Sequence, residues 1–200
     1  MAKRAFNLPN MLTYARILAV PLVVACFFIP EGRLQSSDFA RWSALIIFAL
    51  ASITDYVDGY LARAWKQTSN IGKMLDPIAD KLLVSTCLLL LAADTDRHQA
   101  GIAGWSLWAA IIILCREILV SGLREYLAAL KVSVPVTQLA KWKTAIQMVA
   151  VAFLLLGPAG DKIVPYWSQT GIVLLWISAI VTLYTGYDYF RAGAKHIVDE

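Results

Sequence analysis

Charge is scarce in this chain. Only 16% of its 200 residues are Asp, Glu, Lys or Arg, where a soluble domain carries about a quarter. That scarcity speaks against a water-soluble globular domain. Together with 59% hydrophobic residues and a mean hydropathy of +0.62, it points to an integral membrane protein. Cysteine is also rare. Cys26, Cys87 and Cys115 all lie in apolar runs. Their spacing fits no metal motif and an odd number argues against a disulfide framework, so they read as apolar packing residues. The two histidines, His98 and His196, fall in a connecting stretch and in the tail, and neither is given a role. There is no internal repeat and no low-complexity tail. Alternating apolar and polar residues are missing too, which argues against strands. The net charge of +4 gives no reason to expect a nucleic-acid partner.

What the chain has in abundance is long apolar runs. Six are long enough to cross a hydrocarbon core, which needs about 20 helical residues: approximately 10–29, 40–63, 73–93, 105–128, 140–157 and 169–190. Gly, Pro and charged residues mark the connections between them. The first run is too long, and too polar at its start, for a cleaved signal peptide, so a retained spanning helix is expected. The expected fold is therefore an all-α, six-helix transmembrane protein forming one domain over residues 1–200.

The basic residues fix an orientation. The N-terminus, the turns near 63–73 and 124–143, and the C-terminal tail hold eleven Lys and Arg. The opposite side holds four: Arg33, Arg41, Arg97 and Lys162. Positive charge collects on the cytoplasmic side, so both termini are expected there. Trp105 and Trp108 fit an interfacial belt at the outer end of the fourth helix. Tyr184, Tyr187 and Tyr189 fit one at the inner end of the sixth.

The few acids in the apolar runs are patterned. Asp55 and Asp58 are three apart, and Asp76 and Asp80 are four apart. On helices each pair shares a face, and two helices joined by a short turn run antiparallel. At 1.5 Å per residue, Asp55 lies about 12 Å inward from Arg63, Asp80 about 12 Å inward from Gly72, and Arg16 about 9 Å inward from Asn10. Ionisable groups at one depth imply a polar cavity, which here opens to the cytosol. Four carboxylates in a low-dielectric place repel one another, and a hard cation, Mg²⁺ or Mn²⁺, relieves that repulsion while keeping positions for phosphate. Gly59, Ala62 and Gly72 leave room for a ligand to approach. Arg63 supplies planar donors suited to phosphate. Together these residues describe a diphosphate site at a membrane surface.

Residues 55–80 read Asp-x-x-Asp-Gly-x-x-Ala-Arg, eight residues, then Gly-x-x-x-Asp-x-x-x-Asp. This resembles, without a gap, the signature of the CDP-alcohol phosphotransferase family. The stretches Asn7–Arg16 and Ser69–Lys81 look most like the bacterial members that use sn-glycerol 3-phosphate. The resemblance implies six transmembrane helices, usually in a homodimer, with a divalent metal at Asp55, Asp58 and Asp76 and a general base at Asp80. It places the CDP-diacylglycerol site at Gly59, Ala62, Arg63 and Gly72, with Asn10, Thr13 and Arg16 as neighbours. Those last three are three apart and share one helix face. An acceptor such as sn-glycerol 3-phosphate carries its own phosphate and needs a second basic site, for which Arg116, Arg124, Lys141 and Lys143 are candidates. Membrane anchoring is the bland alternative for Lys143 and Lys141, and Glu117 is a structural partner to weigh for Arg116. The implied location is the bacterial inner membrane, among membrane lipids. Rival readings are a cardiolipin synthase, a family member using inositol phosphate or serine, and a cation-coupled transporter. Transporter sites sit near the midplane, unlike this cluster.

Overall fold

A computed structural model describes residues 8–28, 37–64, 70–94, 102–130 and 138–198. For residues 8, 9, 37, 56–64, 70, 73, 129, 140, 141 and 192–198 the description stops at the backbone. The described residues are helical, with no strand among them. The helices are α1 Leu8–Phe27, α2 Ser37–Ala64, α3 Asn70–Ala93, α4 Trp105–Ala129, α5 Gln138–Leu156, the single turn α6 Pro158–Asp161, and α7 Trp167–Val198. Four of the six apolar runs fall within a long helix, the runs 10–29 and 140–157 reach past the ends of α1 at Phe27 and α5 at Leu156, and α7 continues eight residues past its expected end at 190. Among the described residues three helices are long and apolar enough to cross a membrane: Asn10–Phe27, Trp105–Ala128 and Trp167–Arg191. In α2 and α3 the acids interrupt the apolar sequence, and in α5 its apolar part is the shorter Trp142–Leu156.

The bundle wears its apolar side chains outside. Leu18, Leu22, Leu50, Ile53, Leu89, Ile118 and Ile180 are all more than half exposed. Arg16, Arg41, Asp94, Lys143, Gln147 and Thr182 are buried. Water would penalise this arrangement and lipid favours it, because polar groups in hydrocarbon turn toward the bundle interior. The architecture is that of a membrane protein. Small residues, Ala44, Ala109, Ala110, Ala150 and Ala179, let the helix backbones approach closely. The middle of the bundle is closed by Phe48, Leu83, Leu88, Leu91, Ile113 and Leu154.

Each buried stripe changes character along its helix. On α1 it runs Asn10, Thr13, Arg16, then Ala19, Val23, Cys26, polar at the start and apolar after. On α2 it starts at Arg41, passes Ala44, Phe48 and Ala51, and reaches Asp55. The helices alternate in direction, so polar ends gather at both ends of the bundle. At one end Arg41 pairs with Asp94, and its Nη1 also donates to the carbonyl of Leu155 at 3.3 Å. Lys162 pairs with Asp38 at the same end, 2.6 Å apart. Arg41, expected among the exposed charges of the outer side, is instead 5% exposed and neutralised by an acid 53 residues away. Tyr189 departs from expectation in the same way. Tyr184 and Tyr187 are exposed as a belt requires, but Tyr189 is buried.

Candidate active site

At the other end, α1 presents its polar half to α2 and α3. Arg16 Nη1 lies 2.7 Å from Asp55 Oδ1. Thr13 Oγ1 donates to Asp76 Oδ1 at 2.5 Å. Thr13 and Arg16 are one turn apart on one face, so acids from two helices are drawn to neighbouring levels of α1. Asn10 and Gly72 are buried at the same end. Arg16 is almost fully enclosed, while the Asp55 side chain remains 40% exposed. The ion pair therefore faces an opening and is not sealed in the core. The sequence placed Asn10, Thr13 and Arg16 beside the acidic pairs, and the structure brings Thr13 and Arg16 into direct contact with them.

Asp58 lies one turn beyond Asp55 on the α2 backbone. Its side chain, like those of Gly59, Ala62 and Arg63, lies outside the described residues. Among the described residues no three metal-ligating side chains come together. The two acids that are described fit a hard divalent cation. Both offer carboxylate oxygen, both are held at adjacent levels by α1, and Asp55 is open on one side.

Asp80 is one turn further along α3 and opens onto a different space, a cavity of about 380 Å³ between α3, α4, α5 and α7. Asp80 Oδ1 is buried and has no hydrogen-bond partner among the described residues. Lys81, next to it in sequence, points to α4 and donates to Ser121 Oγ. The cavity is lined by cations from two further helices, Arg116 and Arg124 of α4 and Lys143 of α5. Three of the four basic residues expected to hold an acceptor phosphate thus surround one space. The fourth, Lys141, has its side chain outside the described residues.

The cations are held by different means. Lys143 is buried and donates to Glu117 Oε1, so it is no anchoring lysine at the membrane surface. Arg116 Nη1 lies 3.7 Å from that same oxygen. Its Nε donates to the Thr182 carbonyl at 3.1 Å, and its Nη2 to Thr185 Oγ1 at 3.0 Å. Arg116 is thereby fastened to α7. Gly186 permits the approach, since a Cβ there would sit 3.1 Å from Arg116 Cγ. Arg124 Nη2 donates to Tyr189 Oη at 3.4 Å and lies over the Tyr189 ring, 5.5 Å from its centre.

Sequence reasoning missed Gln147, Tyr189 and Lys81 as cavity residues. For Gln147 a signal existed. It is the polar residue inside an apolar run, four after Lys143, and so on the same face of α5. Nothing in sequence spacing tells whether Tyr189 faces lipid or cavity.

A protein-family model described as CDP-alcohol phosphatidyltransferase matches residues 6–184. Curated relatives named CDP-diacylglycerol–glycerol-3-phosphate 3-phosphatidyltransferase align over almost the whole chain. The one from Rickettsia bellii is 47% identical, over 95% of this chain and 97% of its own. Those from Cereibacter sphaeroides and Escherichia coli strain K12 are 39% and 36% identical, each over 98% of this chain and 99% of its own.

Proposed function

Since the chain belongs to the CDP-alcohol phosphatidyltransferase family, we infer that it transfers the phosphatidyl group of CDP-diacylglycerol to sn-glycerol 3-phosphate, giving phosphatidylglycerophosphate and CMP. It is a phosphotransferase of phospholipid biosynthesis. The observation that carries the chemical reading is the position of Asp80. It shares one helix face with Asp76, which belongs to the acidic cluster, and it opens onto the cation-lined cavity.

The family uses divalent metal ions. Here Asp55, Asp58 and Asp76 would hold one, Mg²⁺ or Mn²⁺. When bound, the ion offsets the charge of the diphosphate and of departing CMP. Thr13 and Arg16 of α1 hold Asp76 and Asp55, and Asn10, Thr13, Arg16, Gly59, Ala62, Gly72 and Arg63 form the cradle of the CDP moiety. Arg116, Arg124, Lys141 and Lys143 receive the acceptor's phosphate, with Glu117 holding Lys143 in place.

Asp80 takes the proton from the primary hydroxyl of the acceptor. That oxygen bonds to the phosphorus that carries diacylglycerol. The bond from this phosphorus to the bridging oxygen of CMP breaks, and CMP leaves with the electron pair. The acyl chains remain in the lipid throughout, and the soluble acceptor enters from the cytosol.

The same reading makes residues 1–200 a single transmembrane domain. It has six spans with both termini cytosolic, lies in the bacterial inner membrane and pairs as a homodimer. Purified protein given labelled CDP-diacylglycerol tests the function. Each acceptor is offered in turn: sn-glycerol 3-phosphate, phosphatidylglycerol, inositol phosphate and serine. Label should pass to phosphatidylglycerophosphate, with one CMP released per product. Transfer to another acceptor in preference would overturn the assignment.

A further inference from the structure

The cavity beside Asp80 holds a second buried acceptor that the mechanism leaves unused. Gln147 is 4% exposed and lines the cavity, and its Oε1 is buried with no hydrogen-bond partner among the described residues. A buried amide oxygen without a donor is destabilising, and the more so at membrane depth, where water is scarce. Such a group is expected where a ligand completes it. Gln147 stands one helical turn from Lys143 on α5. A molecule whose anionic end meets Lys143 therefore reaches Gln147 with atoms a few ångströms further on.

The demand matches one class of ligand. The cavity offers a group of cations and two orphaned acceptors, Asp80 Oδ1 and Gln147 Oε1. The other acid in the wall is not available in the same way, because Glu117 Oε1 already receives Lys143 and lies 3.7 Å from Arg116. A complementary ligand has one phosphate and two hydroxyl donors. A three-carbon polyol phosphate has this set, and the second hydroxyl is the part that the transfer reaction does not consume. That hydroxyl also carries the chirality. The two enantiomers of glycerol phosphate share the phosphate and a primary hydroxyl, and differ in where the secondary hydroxyl points. Contacts to the phosphate and the reacting hydroxyl alone cannot tell them apart, so a third contact is needed.

Resting on the acceptor assignment above, we propose that Gln147 is this third contact, a specificity-determining residue that accepts a hydrogen bond from the acceptor's secondary hydroxyl. It turns the primary hydroxyl toward Asp80 and selects the sn-3 enantiomer. A site built to bond a hydroxyl rejects an analogue lacking it, because its own polar group is then left unpaired.

The test compares three acceptors on the purified full-length protein with labelled CDP-diacylglycerol. They are sn-glycerol 3-phosphate, sn-glycerol 1-phosphate and 3-hydroxypropyl phosphate, which lacks the second hydroxyl. The wild-type protein should prefer the first over each of the others by about 10- to 100-fold in kcat/KM, as loss of a buried hydrogen bond predicts. In Gln147→Met, which keeps volume and removes the amide, both preferences should collapse toward unity. Gln147→Glu, which keeps the acceptor oxygen, should restore discrimination. Three results overturn the proposal. One is a wild-type protein that uses 3-hydroxypropyl phosphate as well as glycerol 3-phosphate, a result needing no variant to fold. Another is Gln147→Met retaining the wild-type preference. The third is Gln147→Met losing all three acceptors in equal proportion, the mark of a packing role. Failure of the wild-type protein to use any glycerol phosphate would be a different outcome, overturning the function itself.

Discussion

The two ends of this helix bundle bury charge in opposite ways. At one end Arg41 and Asp94 meet, and the guanidinium also donates to the Leu155 carbonyl. Each charge is matched inside the protein. At the other end Asp80 and Gln147 each keep a buried oxygen without a donor among the described residues, and Asp55 stays partly open beside Arg16. Both ends contain ionic residues that are costly in lipid. Among the described residues, the second leaves acceptors wanting. A saturated pair is a strut between helices, whereas unsatisfied acceptors in a cavity await a ligand.

The largest effect should come from the acidic cluster. Asp55→Asn removes a candidate ligand and an ion-pair partner of buried Arg16 together. Turnover with CDP-diacylglycerol should fall by at least about 10³-fold, on the scale of lost transition-state charge stabilisation. Excess EDTA should abolish wild-type turnover, and added Mg²⁺ or Mn²⁺ should restore it. EDTA-resistant activity would remove the metal from the account.

The opposite end should respond in stability and not in chemistry. Arg41→Met removes the ion-pair partner of buried Asp94, at a cost of about 3–5 kcal/mol. The double change Arg41→Met with Asp94→Leu should recover most of that loss. Both proteins, where folded, should keep wild-type KM values for both substrates. Thermal unfolding in detergent and steady-state kinetics read the two halves of this expectation. A selective rise in one KM from Arg41→Met would mean that the struts and the site are not separate.

A smaller and more selective effect is expected within the cavity. Lys143→Ala should raise the KM for sn-glycerol 3-phosphate by about 10- to 100-fold, the worth of a charge-assisted bond, and change that for CDP-diacylglycerol little. Equal changes in both would make Lys143 a structural partner of Glu117 alone.

Much of the reacting end was legible in the sequence because its pattern is local. Three- and four-residue spacings put Asp55 with Asp58, Asp76 with Asp80, and Thr13 with Arg16 on common helix faces before any packing is known. Basic residues within helices likewise pointed to Arg116, Arg124 and Lys143. The strut was hidden, because Arg41 and Asp94 are 53 residues apart and nothing in either neighbourhood announces the other. Tyr189 was misread as an interfacial residue, since a tyrosine near a helix end suits a belt and a cavity wall equally. Whether it faces lipid depends on how α7 is rotated against α4, a property of packing and not of spacing.

The central claim is that Asp80 is unsatisfied because its partner is the reacting hydroxyl. Asp80→Asn tests it most directly, with CDP-diacylglycerol affinity and single-turnover rate measured on the same preparation. The account predicts donor affinity close to wild type and a transfer rate lower by about 10²- to 10⁴-fold, the usual contribution of a general base. Donor binding lost as badly as in Asp55→Asn would make Asp80 a metal ligand. A near-normal rate with donor bound would show that no base is needed there, and would contradict the mechanism.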